Sequence, residues 1–352
     1  MMSESSVLNS VSEYYGETLE TNQDLKTSAC CTTAEPPAYV KPILAKIHTE
    51  VHMKFYGCGS PIPPAMEGLR VLDLGCGTGR DCAVMAKLVG DSGQVIGVDM
   101  TDEQLEVADK WLSYHEEKLE IQPGVLQFKK GFIEDLRALG FEDNSFDLIT
   151  SNCVLNLSPN KDQLFSEIFR VLKPGGELFF SDVFADRRIP EHLANDPVLR
   201  GECLGGAMYS EDFRRLLQQQ GCPDYRTLSS MPLQIEDDGV YQKIGMVNFS
   251  SETIRAFKIA SLEDRCEDFG QIATYDKPML GNPHGFELDN HHHFELGRPM
   301  RVCGNTAAMI EETRYGRHFT VTGDRSTHFG LFPCDEPAIS ITAETQNSGA
   351  CC

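Results

Sequence analysis

The chain has 352 residues, 41% apolar and 24% charged, which allows two domains, or one with sizeable appendages, and excludes disorder, collagen and coiled coil for its bulk. No apolar run is long enough to span a bilayer, and a net charge of −22 spread over both halves of the chain repels polyanions, so neither a membrane nor a nucleic acid is expected as a partner. Thirteen cysteines are too dilute for a disulfide scaffold, and the opening MMSESSVLNS lacks the features of a secretion signal, so a cytoplasmic location with reduced thiols is expected.

Residues 1–67 begin Ser/Thr-rich, read as helical around Lys41 to Tyr56, and close in the connector Gly57-Cys-Gly-Ser-Pro-Ile-Pro-Pro64. From 68 to 233 short apolar runs alternate with amphipathic ones. Arg70-Val-Leu-Asp-Leu-Gly75 predicts a first strand, followed by a glycine-rich turn and a helix to about Val89. Gln94 to Met100 predicts a second strand, and Thr101-Asp-Glu-Gln104 has the form of a capping box opening a helix to about Lys118. Val125 to Phe132, Ser145 to Val154 and Gly176 to Phe184 predict three further strands. Between the last two, Asp162 to Leu172 has helical spacing and stops at a turn, Lys173-Pro-Gly-Gly176. Strands separated by helices imply right-handed crossovers and a parallel sheet, the doubly wound Rossmann-like α/β architecture. Residues 185–233 read as an insertion with a terminal helix, Ser210 to Gln220. Residues 234–341 read as a smaller appended α+β domain that supports or closes the site, and 342–352 as a disordered tail.

The turn after the first strand runs Asp73-Leu-Gly75-Cys-Gly77-Thr-Gly79-Arg80-Asp81. Its glycines let the backbone turn sharply and approach a ligand, and the helix that follows offers unpaired N–H groups. A dinucleotide fingerprint is excluded because Arg80 stands where its third glycine belongs. An acidic residue two before the first glycine is instead the pattern of S-adenosylmethionine (SAM) methyltransferases. Asp99, ending the second strand, is placed to accept hydrogen bonds from both ribose hydroxyls, with Met100 beside it. Phe132, Ile133 and Glu134 in Gly131-Phe-Ile-Glu-Asp135 fall where this class covers the adenine, and Leu172-Lys-Pro-Gly-Gly176 is a turn common to it. Arg80 and Asp81 either cap the helix or face the methionine moiety, Tyr56 packs on the cofactor or only on the sheet, and Cys76 and Asn152 complete the expected cofactor contacts.

Four cysteines fall near the expected ligand edge of the sheet or on segments able to reach it. Cys153 ends the fourth strand in Ser151-Asn-Cys-Val154, Cys203 lies in the small-residue loop Gly201-Glu-Cys-Leu-Gly-Gly206, and Cys58 stands in Tyr56-Gly-Cys-Gly59. Cys30 lies upstream in Cys30-Cys-Thr-Thr-Ala34. With Leu72-Asp-Leu-Gly-Cys-Gly-Thr-Gly-Arg-Asp81, these motifs make the chain resemble the arsenite methyltransferases from about Cys30 to Ile341. The resemblance implies a class I SAM methyltransferase fold and SAM-dependent methylation of arsenite to methyl- and dimethylarsenicals. It also implies functional cysteines at 30, 58, 153 and 203. Trivalent arsenic is soft and prefers thiolates, which makes Cys58, Cys153 and Cys203 the expected arsenic ligands. Cys30, or its neighbour Cys31, is the expected partner of Cys58 in disulfide formation, with thioredoxin or glutathione as the external reductant. A monomer is expected, and Cys351 and Cys352 resemble accessory C-terminal cysteines of the family. Two other functions share the same core: a SAM-dependent C- or O-methyltransferase of a quinone-like lipid, and a thiol protein that binds the metalloid without turnover. Cys76 and Cys82 read as packing residues. Cys222, Cys266, Cys303 and Cys334 show no pairing spacing, and His291, His292 and His293 read as a solvated turn.

Overall fold

The structure, a computed structural model, describes residues 4–18, 36–235 and 237–333. It begins with helix α1 (Glu4–Glu13), which runs into a π-helical turn, Tyr14–Thr18. Two short helices follow, α2 (Lys41–Leu44) and α3 (Thr49–Met53). Cys30 and Cys31, Cys334 and the tail 342–352 lie outside the described residues.

The α/β alternation expected from 68 onward is present. Strand β1 (Arg70–Leu74) leads into α4 (Arg80–Val89), β2 (Gln94–Asp99) into α5 (Asp102–Leu119), and β3 (Leu126–Lys130) and β4 (Phe146–Asn152) precede α6 (Lys161–Val171). Strand β5 (Leu172–Ala185) is followed by α7 (Glu191–Ala194), α8 (Pro197–Gly201), β6 (Met208–Tyr209) and α9 (Ser210–Gln219). Next come β7 (Tyr225–Pro232), α10 (Asp238–Ile244) and β8 (Phe249–Phe257). The central sheet has the order β3-β2-β1-β4-β5-β8-β7, with β6 also on β5.

Four local expectations are corrected. The sheet is mixed rather than parallel, because β8 runs antiparallel to both β5 and β7. The expected boundary at 233/234 falls inside this sheet, since β8 lies beyond it. The turn at Lys173–Gly176 is a bulge within β5: pairing steps from Phe146↔Leu172 to Leu148↔Glu177, and the extra residues loop out. Gly175 sits there at φ +75°, where a Cβ would meet the carbonyl oxygen of Glu312 at 2.4 Å. The capping box does not form either. Thr101 makes no side-chain cap bond, and Gln104 donates to the main-chain oxygen of Tyr15.

Helix α6 shows why these elements pack as they do. Asn160 caps it by accepting from the Gln163 amide at 3.1 Å, and Leu164, Phe165, Ile168 and Phe169 lie buried on one stripe of it. They join Leu72, Leu74, Ile149 and Leu178 of the sheet in one core.

The remaining chain forms a three-stranded sheet from β9 (Ile272–Tyr275), β12 (Pro299–Arg301) and β13 (Phe319–Thr322), a hairpin of β10 (Gly285–Glu287) and β11 (His293–Glu295), and helix α11 (Gly304–Glu311). Buried charge fastens it to the central sheet. Glu177 of β5 pairs with Arg255 of β8 at 2.5 Å and with Arg314, and accepts from the Tyr315 hydroxyl at 3.0 Å. Among the described residues no helix is long and apolar enough to cross a membrane.

Candidate active site

A cleft opens at the carboxyl ends of β1, β2 and β4, where open α/β sheets place ligands. Gly75, Gly77 and Gly79 take φ of +71°, +53° and +79°, a left-handed backbone that side chains disfavour. A Cβ at Gly75 would strike Val154 at 2.4 Å, whereas at Gly77 its nearest neighbour would be Gln104 Oε1 at 3.7 Å. The turn therefore leaves space on the cleft side. Asp99 is held by its own backbone surroundings: Oδ2 accepts from the Gly77 amide and Oδ1 from the Thr101 amide, both at 2.9 Å.

The cleft suits SAM, which carries several N–H and O–H donors. The oxygens Gln104 Oε1 and Glu134 Oε1 are buried acceptors without a partner among the described residues, and both residues line the cleft. Asp99 retains acceptor capacity beyond its two backbone bonds.

Of the expected cofactor contacts, Tyr56, Asp73, Gly75, Cys76, Gly77 and Asp81 line the cleft, as do Asp99, Met100, Ile133, Glu134 and Asn152. Arg80 and Phe132 do not. The Arg80 guanidinium pairs with Asp81 at 2.7 Å and stacks over the Phe55 ring, and Phe132 is 50% exposed. Sequence order alone could not tell which of Phe132 and Ile133 turns inward.

The thiols meet at the inner end of this cleft. Cys153 lines it, and its sulfur, that of Cys58 and an oxygen of Asp182 all lie within 4.8 Å of one another. The Cys203 thiol donates to the Cys153 carbonyl oxygen at 3.4 Å. Cys58, Cys153 and Cys203 are all buried within one packed cluster. Cys153 and Cys203 take φ of +62° and +61°, a conformation that costs a non-glycine residue of order 1 kcal/mol and persists where the surroundings impose it. The Cys153 amide is fixed to the Ser181 oxygen at 2.8 Å. Cys58 comes from a different segment and is anchored by Asn152 Oδ1, which accepts its amide, and by Ser251, which donates to its carbonyl.

Asp182 is a site residue that motif reading missed. It is the lone charge in the apolar run Leu178-Phe-Phe-Ser-Asp-Val-Phe184, and that isolation was the available signal. Its Oδ1 accepts from Asn156 Nδ2 at 2.7 Å and from the Val183 amide, and its Oδ2 from the Asn156 amide. Burial nevertheless pushes its pKa up to about 8. Burial also raises the Cys58 thiol above its ordinary value, against a hydrogen bond with Cys153 that lowers it.

The N-terminal turn covers this region. The Tyr15 hydroxyl donates to the Gly201 oxygen at 2.9 Å and lies 3.8 Å from the Cys203 sulfur, and Tyr14 donates to Glu202 at 2.8 Å. The Tyr15 ring meets Tyr56 edge-on at 5.6 Å. This contact, too, had no sequence signal.

Comparison with known proteins agrees with the geometry. Residues 65–221 match the sequence family described as a methyltransferase domain. The chain is 49% identical over 350 residues to an arsenite methyltransferase of Aquipseudomonas alcaligenes, covering 97% of this chain and 99% of that one. It is 40% identical over 315 residues to the Homo sapiens arsenite methyltransferase, covering 88% and 82%. Among solved structures it resembles CrArsM, an arsenic(III) S-adenosylmethionine methyltransferase from Chlamydomonas reinhardtii, with a TM-score of 0.81 and 50% identity over 85% of this chain and 100% of that one. The chain is a SAM-dependent methyltransferase and belongs to the arsenite methyltransferase family.

Proposed function

We propose that the protein methylates trivalent arsenic while the arsenic is held by the thiol groups of Cys58, Cys153 and Cys203. The observation that carries this reading is the meeting of the Cys58 and Cys153 sulfurs, with Cys203 bonded beside them, at a wall shared with the cofactor cleft.

Arsenous acid exchanges its hydroxyls for thiols: each As–S bond formed releases one water, which carries off the thiol proton. The exchange is proton-neutral for thiols that burial keeps protonated, as at Cys58, so no general base is required. Three sulfurs from three segments hold the arsenic in a pyramid and leave its lone pair free. Bound SAM supplies a methyl group already activated on a sulfonium. The chain's task is to orient. Asn152 does this from both sides, bonding the Cys58 amide and Asp81 of the cofactor helix, while Tyr15 and Tyr56 cover the cleft.

Methyl transfer uses the arsenic lone pair, and a further round needs two electrons back. Two thiols that become a disulfide supply them. Cys58 with Cys30 is the proposed pair, and a thioredoxin- or glutathione-type dithiol or thiol in a reducing cytoplasm then restores it. The test is an assay with labelled SAM, arsenite and a thiol reductant. Labelled methylarsenicals support the reading; arsenite binding without label transfer supports a sequestering protein, and activity insensitive to loss of Cys153 and Cys203 supports a different acceptor.

A further inference from the structure

Cys266 and Cys303 lie 37 positions apart, and neither belongs to the cleft or to the thiol cluster. The fold joins them. Cys303 is the N-cap of α11, and its sulfur accepts from the Thr306 amide at 3.4 Å. It lies 3.3 Å from the Thr306 hydroxyl and 3.9 Å from Arg226 Nη2; the Gly304 amide donates to the Glu267 carbonyl oxygen at 2.9 Å, which sets the two cysteines side by side, and the Cys266 thiol bonds the Cys303 sulfur.

These contacts favour a thiolate. Burial pushes Cys58, Cys76, Cys82 and Cys222 up. Cys303 is held well below the ordinary thiol range, first by the Cys266 hydrogen bond and, against burial, by the Arg226 charge. Arg226 is itself buried; Nη1 is engaged by Asp289, Nη2 by Asp224 and Thr306, while its Nε has no hydrogen-bond partner among the described residues. Thr306 and the buried Arg226 guanidinium thus bring N–H and O–H donors within 4 Å of the Cys303 sulfur, which suits a ligand that carries an oxygen as well as an affinity for sulfur. Cys266 is only partly buried, which gives the pair an open side.

We propose that Cys303 and Cys266 form a second arsenic site, separate from the active centre, which takes arsenite as a two-sulfur complex. Two As–S bonds form and two As–O bonds break. The Cys266 proton and one proton from solvent leave with the hydroxyls as two waters, and the third hydroxyl stays on the arsenic. No electrons are exchanged, so no reductant is involved. The site does not depend on the thiol chemistry proposed for the active centre.

The test is equilibrium dialysis of the full chain against arsenite, with a monothiol present to keep cysteines reduced and arsenic counted by mass spectrometry. Cys266→Ser, Cys303→Ser and the double variant are each expected to bind one arsenic fewer than the unaltered chain, because both sulfurs serve one ion. The Cys153→Ser chain retains this equivalent and loses it on adding Cys266→Ser, which separates the site from the active centre. If Cys303→Ser proves unfolded by circular dichroism, the partly exposed Cys266→Ser decides alone. Unchanged arsenic content in Cys266→Ser, or losses in the double variant that add to two, overturns the proposal.

Discussion

The side-chain oxygen of Asn152 accepts the Cys58 amide at 3.0 Å. The same side chain donates to Asp81 and to the Gly59 oxygen, each at 3.0 Å, so one amide ties the loop that carries Cys58 to the first turn of α4. Reaction between two bound groups depends on their relative placement, and a shift of about 1 Å costs on the order of 100-fold in rate.

Asn152→Ala is accordingly expected to lower kcat by about 10- to 100-fold while the chain stays folded. Steady-state kinetics with SAM and arsenite varied separately checks this. A kcat within twofold of the unaltered enzyme contradicts the positioning role.

Tyr15→Phe removes the hydroxyl that bonds Gly201 beside the Cys203 thiol and keeps the ring that packs on Tyr56. One lost hydrogen bond of about 1 kcal/mol corresponds to roughly fivefold. The KM for arsenite should rise by up to about that factor, with kcat within twofold of the unaltered enzyme. An unchanged KM shows that the turn does not contribute through this bond.

Glu177 is fully buried and is paired with both Arg255 and Arg314. Glu177→Ala leaves two guanidinium groups without their counter-charge, and breaking a buried pair from one side costs about 3–5 kcal/mol. Urea unfolding should show that loss, with the last strands and α11 more open to hydrogen exchange. A loss below about 1 kcal/mol contradicts the fastening role.

Stability should fall as pH rises from about 4 to 8. Burial raises Asp182 to about 8 and Asp73 to about 7, so the folded chain keeps protons that the unfolded chain releases near pH 4. Their contribution is complete below that pH and is lost as pH climbs through the raised values, at about 1.4 kcal/mol per pH unit for each proton. Carboxylates held low, such as Asp289 beside His292 and Arg226, act in the opposite sense only below about pH 4, and His115, which burial lowers to about 4, offsets one proton's share between about pH 4 and 6.5. In Asp182→Asn the decline between pH 5 and 8 should be shallower by one proton's share. An identical slope contradicts the raised pKa.

What could be read from the sequence was local. The Asp73-to-Asp81 turn and Asp99 lie at short, fixed spacings from their strands, so their place at the cleft followed from the α/β alternation. Asp182, Asn152 and Tyr15 act across 26, 94 and 186 positions, and no motif spacing records such contacts. The return of β8 into the sheet was hidden for the same reason: its partners β5 and β7 precede it, and the intervening turns read as a domain boundary. The Lys173–Gly176 bulge passed for a turn because its composition is that of one, while the pairing on either side is what makes it part of β5. Ile133 and Phe132 are adjacent and both apolar, and only packing separates the buried one from the exposed one.

The central claim is that arsenic is methylated while it is held on Cys153 and its neighbouring thiols. The most direct measurement is methyl transfer from labelled SAM to arsenite by Cys153→Ser, with a thiol reductant present and folding confirmed by circular dichroism. The account predicts no labelled methylarsenical above background, and formation of methylarsenical at the rate of the unaltered enzyme would contradict it.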